Sequence, residues 1–399
     1  MRHKEFMGHS ENRKGTVLML ASVASMIDQF NMPNIRLLLE MGYEVHVACN
    51  FIEGNTCDAK RIRKLKKRLH NMQVVLHQWD CPRNIVSIKK CGTAYRQLWQ
   101  LTGSWQYAWI HCHSPVGGAL ARVVAHWRRI RVIYTAHGFH FYKGAPVKNW
   151  LLYYPVEKLL SYWTDILITV NKEDYRFAKQ HLRAGKTCYI PGVGIDFRLY
   201  KEKSTDICSK GFREIYKIPQ DAVLLLSVGE LSRRKDHRTV ITALSKLHRK
   251  DVCYLICGQG KWKKKLVRCA VKHGVLESIR MPGFLEHVEE AYAQADIFIL
   301  PSCQEGLSVA LMEAMASGLP CVVSDIRGNR ELIGEARLRF KPKDAKQLME
   351  ILQRLLDDNR RRETYGALNR KKIAGYSLAD VQKRMERIYY EEEKSIGYQ

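Results

Sequence analysis

The chain has 399 residues, more than one hydrophobic core usually serves, so its length alone predicts about two domains. Hydrophobic residues make up 46% of it and charged residues 27%, a balance that excludes a disordered chain. A formal charge of +26, from 66 Lys and Arg against 40 Asp and Glu, predicts an anionic partner: nucleic acid, an anionic membrane face or a phosphorylated ligand.

The sequence carries no recognisable export or membrane-spanning segment. The first residues, MRHKEFMGHSENRKG, are polar, and no later apolar run reaches the roughly 18 residues that a spanning helix needs. We therefore expect a cytoplasmic protein. The twelve Cys lack metal-ligand spacing, and Cys253 and Cys257 fall in or beside a predicted buried strand, so we expect neither disulfides nor structural zinc.

From Gly15 onward, short β-rich runs alternate with helical patterns, which predicts two parallel, doubly wound sheets in tandem. The first series of predicted strands is TVLMLASVA, EVHVACN, VVLHQW, WIHCH, RVIYTAH and DILITV, and CYIPGVGID closes it near Asp196. The second series is AVLLLSVGE, VCYLICG, IRMPGF, DIFILPS and PCVVSD. In the tail, Ser377 and Asp380 form a capping-box pattern before an amphipathic helix.

In such sheets, ligands bind beyond the carboxyl ends of the strands, so the residues just after each strand are the first candidates. Glu305 follows the strand DIFILP, and the amides of Gly306, Leu307 and Ser308 are expected to open a helix that ends near Ser317. Glu313 is expected about two turns inside that helix. Alternatively, Glu305 is only a helix-dipole partner and Glu313 a solvated side chain.

A cluster of cations follows the strand AVLLLSV. After Gly229 and Glu230 come Arg233, Arg234 and Lys235, which lead into a predicted helix. Basic side chains at such a strand end suit a diphosphate. The alternative is an ordinary solvated charge run.

Taken in order, these blocks resemble a family 4 glycosyltransferase of the GT-B architecture, an α/β fold of two Rossmann-like domains facing each other across a cleft. The stretch EGLSVALMEAMASGLPCVVSD matches the family's pattern of two acids separated by seven residues, and VGELSRRKDH resembles its donor-diphosphate loop. The segments HCHSPVGGALAR, VIYTAHGFHFYKGAP and WLLYYPVEKLLSYWTDILITVNKEDY resemble the bacterial exopolysaccharide and capsule subgroup. The resemblance covers nearly the whole chain from about residue 15.

The resemblance implies four parts: a flexible segment over residues 1–14, an acceptor-binding domain over 15–196, a donor-binding domain over 197–376, and a C-terminal helix over 377–399 that packs back on the first domain. It also implies roles for single residues. Glu313 would hold the ribose of a nucleotide sugar, and Glu305 with the amides of Gly306 and Leu307 would address the transferred sugar. Lys235, beside Gly229 and Arg234, would neutralise the leaving diphosphate.

The same resemblance implies that Gly283 and Phe284 lie at the nucleotide base and that His137 faces the donor sugar, with His137, Glu305 and Lys235 as the catalytic residues. Two features depart from the family. Glu230 stands where an arginine is usual, for which Arg233 or Arg234 would have to compensate. The first loop, SVASMIDQFNMP, lacks the usual glycines and leaves Phe30 and Asn31 as acceptor-side candidates.

His113 and His140 are further acceptor-side candidates, although each could equally hydrogen-bond only its own loop. The segment DAKRIRKLKKRLHNM places Ala59, Ile62, Leu65, Leu69 and Met72 at helical spacing. Its cations are Lys60, Arg61, Arg63, Lys64, Lys66, Lys67 and Arg68. Such a helix can lie on an anionic membrane. It can also be a surface helix whose apolar stripe packs on the sheet.

The expected protein is a retaining, metal-independent hexosyl- or N-acetylhexosaminyltransferase without a cofactor. It would move a sugar from a nucleoside diphosphate to a polyprenyl-diphosphate-linked saccharide in exopolysaccharide or capsule synthesis. UDP is favoured over GDP as the nucleotide of the donor. Its expected location is the inner face of the cell membrane, bound peripherally. A GT-B sugar-nucleotide epimerase and, more distantly, a basic nucleic-acid-binding protein are the alternatives. The sequence leaves open the sugar, linkage, acceptor, retention mechanism and oligomeric state.

Overall fold

The structure is a computed structural model that describes residues 14–55, 57–83, 87–200 and 211–396, with side chains up to Lys394. The predicted flexible segment therefore lies, apart from Lys14, outside the described residues. The chain divides into two compact units. The first holds the chain up to Ile190 together with everything from Gln382 onward, and the second is Pro191–Val381.

The first unit is built on a seven-stranded parallel sheet with the strand order β3-β2-β1-β4-β5-β6-β7. Its strands are β1 Thr16–Val23, β2 Glu44–Asn50, β3 Val75–Gln78, β4 Trp109–His113, β5 Arg131–Ala136, β6 Ile166–Thr169 and β7 Lys186–Tyr189. Its helices are α1 Ala24–Met26, α2 Met32–Glu40, α3 Ala59–Asn71, α4 Ile88–Ser104, α5 Pro115–Arg128, α6 Val147–Ser161 and α7 Lys172–His181. A π-helical turn, Ile27–Asn31, joins α1 to α2.

The second unit is built on a six-stranded parallel sheet with the order β10-β9-β8-β11-β12-β13. Its strands are β8 Val223–Val228, β9 Val252–Cys257, β10 Ile279–Gly283, β11 Ile297–Leu300, β12 Cys321–Ser324 and β13 Arg339–Phe340. Its helices are α8 Phe212–Ile215, α9 His237–Leu247, α10 Lys263–Lys272, α11 Val288–Gln294, α12 Val309–Ala316, α13 Arg327–Leu332, α14 Ala345–Leu356 and α15 Asn359–Ile373. The last helix of the chain is α16, Leu378–Ile396.

The central strands are apolar on both sides because helices cover both faces of each sheet. Every residue of β4, β9 and β12 is buried, including the two histidines of β4. Continuous apolar runs of this kind are what a parallel sheet requires. They explain why the predicted strand segments and the predicted fold class, two Rossmann-like α/β units, are confirmed.

Each sheet has a point where the strand order reverses, and the two points position the candidate sites. In the first unit the reversal lies between β1 and β4, and in the second between β8 and β11. Loops at such a point diverge and leave room for a ligand. The segments after β1 and β4, and those after β8 and β11, are therefore the loops of interest.

Helix α16 begins with the capping box that the sequence predicts. The Asp380 amide donates to Ser377 Oγ at 3.0 Å, and the Ser377 hydroxyl donates to the Asp380 carboxylate at 2.6 Å. Further along, the buried Tyr389 hydroxyl lies 2.8 Å from His111 Nδ1 of β4, and the buried Glu392 pairs with Arg131 of β5. The later turns of α16 thus belong to the packing of the first unit.

Candidate active site

Glycines end three neighbouring strands of the second sheet and bring their backbones close together. Gly229 follows β8, Gly258 follows β9 and Gly283 ends β10, and all three have positive φ. The Gly258 amide donates to the Gly283 carbonyl at 2.7 Å, and the Gly229 amide donates to the Cys257 carbonyl at 2.9 Å. A Cβ on Gly258 would lie 1.9 Å from the Gly229 carbonyl oxygen, so this close approach requires glycine.

Lys235 and Glu305 meet at the carboxyl ends of β8 and β11. Lys235 Nζ lies 2.8 Å from Glu305 Oε1, and each side chain is only 10% exposed. The lysine reaches this position along Gly229, where an added Cβ would lie 3.1 Å from Lys235 Cε. The strand-end glycine therefore makes room for the lysine.

Arg234 completes the cluster from the more exposed side. Its Nη1 lies 3.1 Å from Glu305 Oε2 and donates to the Gln304 carbonyl at 2.9 Å. The Cys303 amide donates back to the Arg234 carbonyl at 2.8 Å, which ties the two loops together. Both arginines that could replace the missing one at Glu230 are exposed, and Arg234 is the one that the structure places against Glu305.

The Glu305 carboxylate is held ionised by these cations. Burial by itself would raise the pKa of Glu305, but Lys235 and Arg234 outweigh it and lower this pKa to about 2. At neutral pH the three groups carry one net positive charge. This is an environment that favours an anionic ligand.

Helix α12 starts later than the sequence suggests. Ser308 is its N-cap, and the Ser308 hydroxyl accepts from the Leu311 amide at 3.4 Å, so Glu305, Gly306 and Leu307 precede the helix. Glu313 is consequently just over one turn inside the helix, not two. The cap at Ser308, whose backbone is extended, sets the start of the helix at Val309. The helix ends as expected, with Gly318 at a φ of 73°.

Glu313 is held by two tyrosines that the sequence analysis missed. Tyr292, which has no exposed surface, donates its hydroxyl to Glu313 Oε2 at 2.8 Å. The ring of Tyr200 lies 5.9 Å from that of Tyr292, and its hydroxyl also bonds Glu313. Burial raises the pKa of Glu313, and the two phenols partly offset this effect. The alternative that Glu313 is only a solvated side chain is thus wrong.

Phe284 lies just beyond β10 and is 41% exposed, next to Gly283. The structure therefore brings Gly229, Arg234, Lys235, Glu305 and the Gly306–Ser308 segment to neighbouring strand ends of one sheet. Phe284 and Gly283 stand at the edge strand of the same sheet, and Glu313 follows in α12.

Three histidines lie in a row in the first unit. His137 follows β5, and its Nε2 lies 3.1 Å from Nδ1 of His113, the last residue of β4. The ring of His113 lies 4.3 Å from that of His111, whose Nε2 is 2.8 Å from the Thr135 hydroxyl. His113 is thus fully buried beneath His137, with its other nitrogen 3.2 Å from the Met19 sulfur.

Burial keeps this row of imidazoles neutral. It lowers the pKa of His137 to about 4 and that of His111 to about 3, and it lowers the pKa of His113 as well. A neutral imidazole can accept a hydrogen bond at one nitrogen while it donates from the other. His137 is therefore suited to orient a hydroxyl rather than to supply a positive charge.

Of the acceptor-side candidates Phe30, Asn31 and His140, the structure places Phe30 against His137. The Phe30 ring, in the π-helical turn, lies 5.4 Å from the His137 ring. Asn31 is buried, and its amide donates to the Met26 carbonyl at 3.2 Å. His140 stacks on Tyr153 with ring centroids 4.6 Å apart, and its carbonyl accepts from Asn149.

The basic helix α3 packs its apolar stripe on the protein. Ile62, Leu65 and Leu69 are buried, with 8% exposure or less. Arg61 and Arg68 both pair with Asp28, and Lys66 Nζ lies 4.8 Å above the Phe51 ring. Most exposed residues of α3 are cations, beside the exposed Ala59, His70 and Asn71; the exposed cations are Lys60, Arg63, Lys64, Lys66, Lys67 and Arg68.

Two further properties concern only the described residues. No helix among them is long and apolar enough to cross a bilayer. No three or more of their His, Cys, Asp or Glu side chains are grouped so that they could hold a metal ion. That the reaction needs no metal stays a prediction.

Two parallel Rossmann-like units, with a basic and acidic cluster at the strand ends of the second, define a sugar transferase of the GT-B architecture. Sequence models of two families match: "Glycosyltransferase Family 4" over residues 35–196 and "Glycosyl transferases group 1" over residues 209–372. EpsD of Bacillus subtilis (strain 168), which carries a provisional glycosyltransferase name, is 34% identical over 381 residues, 94% of this chain and 96% of EpsD. The chain belongs to the family 4 glycosyltransferases.

The chain is also similar to a second relative and to a solved structure. An Escherichia coli enzyme, UDP-Gal:alpha-D-GlcNAc-diphosphoundecaprenol alpha-1,3-galactosyltransferase, is 27% identical over 261 residues, 63% of this chain and 66% of its own. The crystal structure of Anabaena Alr3699/HepE in complex with UDP-glucose superposes with a TM-score of 0.75 at 16% identity, covering 94% of this chain and 100% of that one. At this low identity the second similarity shows the fold alone.

Proposed function

We propose that the protein transfers a hexosyl or N-acetylhexosaminyl group from a UDP-sugar to a saccharide on a polyprenyl diphosphate carrier, with retention of the anomeric configuration. The observation that carries the proposal is the Lys235–Glu305–Arg234 cluster at the strand ends of the second sheet. The relative EpsD supports sugar transfer, and the E. coli galactosyltransferase supports a UDP-sugar donor and a lipid-linked acceptor. A role in exopolysaccharide or capsule synthesis is part of the same proposal.

The cluster suits departure of a nucleoside diphosphate. In the reaction, the bond between the anomeric carbon and the diphosphate oxygen breaks, and its electron pair leaves with the diphosphate. The acceptor hydroxyl oxygen forms the new bond, and its proton passes to the departing diphosphate oxygen. Lys235 and Arg234 would stabilise the charge that develops on the leaving group, without a metal, because they are already in place before reaction.

Glu305 is assigned to the hydroxyls of the transferred sugar. With two cations beside it and a pKa of about 2, its carboxylate is a weak nucleophile, which favours attack by the acceptor over a covalent sugar–enzyme intermediate. Glu313, anchored at one oxygen by Tyr292, would hold the ribose. Gly283 and Phe284 would contact the base, and His137 would orient a sugar hydroxyl.

We further propose that the N-terminal unit binds the acceptor and that the protein works at the cytoplasmic face of the membrane. The net charge of +26 and the cationic face of α3 support attraction to anionic lipid and to the diphosphate of the carrier. His113, His140, Phe30 and Asn31 stay acceptor-side predictions.

The test is transfer to a synthetic polyprenyl-diphosphate-linked saccharide from a panel of UDP- and GDP-sugars, with EDTA present. We expect a product one sugar heavier by mass spectrometry, with the donor's anomeric configuration by NMR. Product formation that requires an added divalent metal would contradict the metal-independent assignment. A changed sugar nucleotide formed without acceptor would instead indicate the epimerase.

A further inference from the structure

Helix α6 turns a row of apolar side chains to the outside of the first unit. Val147 is 73% exposed, Leu151 74%, Leu152 50% and Leu159 57%. Val156 and Tyr162 continue the row. We call these six residues the α6 face. Several of them are spaced four residues apart, which places them along one side of the helix.

The buried contacts on the inner side of α6 fix the outward orientation of the α6 face. Glu157, on the opposite side of α6, forms a two-point ion pair with Arg122 of α5 at 2.9 and 3.0 Å, and both side chains are buried. Leu160 is buried beside them, and Trp150 Nε1 donates to the Tyr142 carbonyl at 3.2 Å. Rotating the helix to hide its apolar row would break this buried pair, so the exposed row is a fixed feature of the unit.

The exposed charges within the segment that carries the α6 face are all positive. Between residues 143 and 162 the exposed charged side chains are Lys143, Lys148 and Lys158, and Glu157, buried in its ion pair, is the segment's acid. At the carboxyl-terminal end of the helix, Trp127 of α5 is 67% exposed, and His126 contacts both its ring and that of Trp163. Apolar residues flanked by lysines, with aromatics at one end, suit a helix in a membrane interface.

A second copy of the chain fits this surface less well. Two such faces brought together would oppose lysine to lysine, with no exposed carboxylate within the segment to pair with them. A bilayer that contains anionic lipid offers both an apolar interior and negative headgroups. The charge of the surface therefore favours lipid.

The basic helix α3 cannot supply the apolar contact. Its Ile62, Leu65 and Leu69 are buried in the protein, and no large apolar side chain of the helix is exposed. The chain also runs from β2 to β3 and from β5 to β6 in opposite directions across the sheet. Right-handed crossovers then place α3 and α6 on opposite faces of the sheet. The two helices are thus separate elements with separable effects.

We propose that the α6 face inserts at the boundary between headgroups and acyl chains of an anionic bilayer, with Lys148 and Lys158 at the headgroups. The inference deepens the proposed function, on which it rests, because a lipid-linked acceptor is reached only at a membrane. The long stems of the lysines can lie along apolar surface while their charges stay in water. The apolar contact and the Coulomb attraction should therefore act together.

The test measures binding of the full-length chain to phosphatidylglycerol–phosphatidylcholine vesicles by flotation. The test variant is the double Leu151→Ser, Leu159→Ser, and the matched control is Leu368→Ser in α15, where the leucine is 55% exposed. Removing two inserted leucines should weaken vesicle partition about 100-fold, since each buried leucine is worth about a factor of ten or more. The control should bind like the wild type.

Salt separates the α6 face from α3. Because α3 lies on the opposite face of the sheet from the bilayer that the α6 face enters, reversing the charges of Lys60, Arg63 and Lys67 should leave the binding that survives high salt unchanged. The double leucine variant should lose binding that survives high salt. Thermal melts of both variants within a few degrees of the wild type would show that the loss is not unfolding.

Three outcomes would overturn the inference: no vesicle binding by the wild type, equal binding by the double leucine variant, or a leucine variant that changes only the oligomeric state. UDP titration of the same preparations keeps this inference apart from the proposed function. Vesicle binding without UDP binding would contradict the donor site and leave the α6 face intact. UDP binding without vesicle binding would contradict the role of the α6 face and leave the donor site intact.

Discussion

Replacing Lys235 by Ala removes the cation nearest the candidate leaving-group site. In the wild type, Lys235 Nζ lies 2.8 Å from Glu305 Oε1, and both side chains are almost completely enclosed. Arg234, at 3.1 Å from the other carboxylate oxygen but 44% exposed, would be the remaining partner. The variant should therefore weaken both leaving-group stabilisation and the packing of Glu305.

The effect on turnover follows from the loss of a preorganised positive charge. Removing one such group from an active site typically lowers kcat about 100- to 1,000-fold. We expect Lys235→Ala to fall in this range in a sugar-transfer assay at saturating donor. Lys246→Ala, which removes an exposed lysine from the last turn of α9, is the matched control and should keep full activity.

The effect on stability is smaller and has a defined pH dependence. The pKa of Glu305 falls from an ordinary 4.5 to about 2, which corresponds to at most roughly 3 kcal/mol, shared between Lys235 and Arg234. Because the folded pKa is depressed, this stability is present above pH 4.5 and is lost as the pH falls towards 2. Urea unfolding should separate variant and wild type at pH 7, and the difference should shrink below pH 4.5.

The result that would refute this reasoning is a Lys235→Ala enzyme whose turnover stays within about threefold of the wild type. Equal losses in Lys246→Ala would also refute it, because the effect would then reflect net charge rather than position. A stability difference that grows as the pH falls would contradict the sign assigned to Glu305.

Three more predictions follow from the site. Tyr292→Phe should weaken UDP binding about tenfold by calorimetry, because Glu313 loses the 2.8 Å hydrogen bond that anchors it; unchanged affinity would argue against Glu313 as a ligand. His137→Ala should lower turnover. The pH profile of the wild-type rate should show no titration of His137 between pH 5 and 8, because the pKa of this residue is lowered to about 4. An NMR titration that places this pKa near 6.5 would contradict the assignment of neutral imidazoles. Gly258→Ala should lower the melting temperature by several degrees and abolish UDP binding, because its Cβ would meet the Gly229 carbonyl at 1.9 Å; a variant that melts and binds UDP like the wild type would show that this glycine contact is not needed.

The central strands were predictable because they are buried on both sides. The segments EVHVACN and WIHCH match β2 and β4 residue for residue, since continuous apolar runs leave little doubt about where a buried strand begins and ends. The short edge strand β13, Arg339–Phe340, was not predicted. Two residues carry too little pattern to distinguish a strand from a loop.

The candidate site was predictable where its residues follow a strand, and not where they meet through folding. Glu305 and Lys235 could be expected to approach each other, because both follow central strands whose carboxyl ends lie at the same edge. Tyr200 and Tyr292 were missed because each is distant from Glu313 in sequence, and nothing local marks them. A buried tyrosine needs a partner for its hydroxyl, and that partner is visible only in the structure.

Helix α3 shows a second limit of sequence patterns. A basic amphipathic helix looks the same whether its apolar stripe faces the sheet or a membrane. The burial of Ile62, Leu65 and Leu69 decides for the sheet. By contrast, α6 has an apolar row on the outside and a buried ion pair within, and its sequence alone does not reveal which side is which.

The central claim, that the second unit binds a nucleoside diphosphate between Lys235 and Glu313, is tested most directly by calorimetry. The purified protein would be titrated with UDP and, separately, with GDP in metal-free buffer, beside Glu313→Ala. We expect saturable UDP binding that the variant loses. Binding of neither nucleotide, or equal UDP affinity in the wild type and the variant, would contradict it.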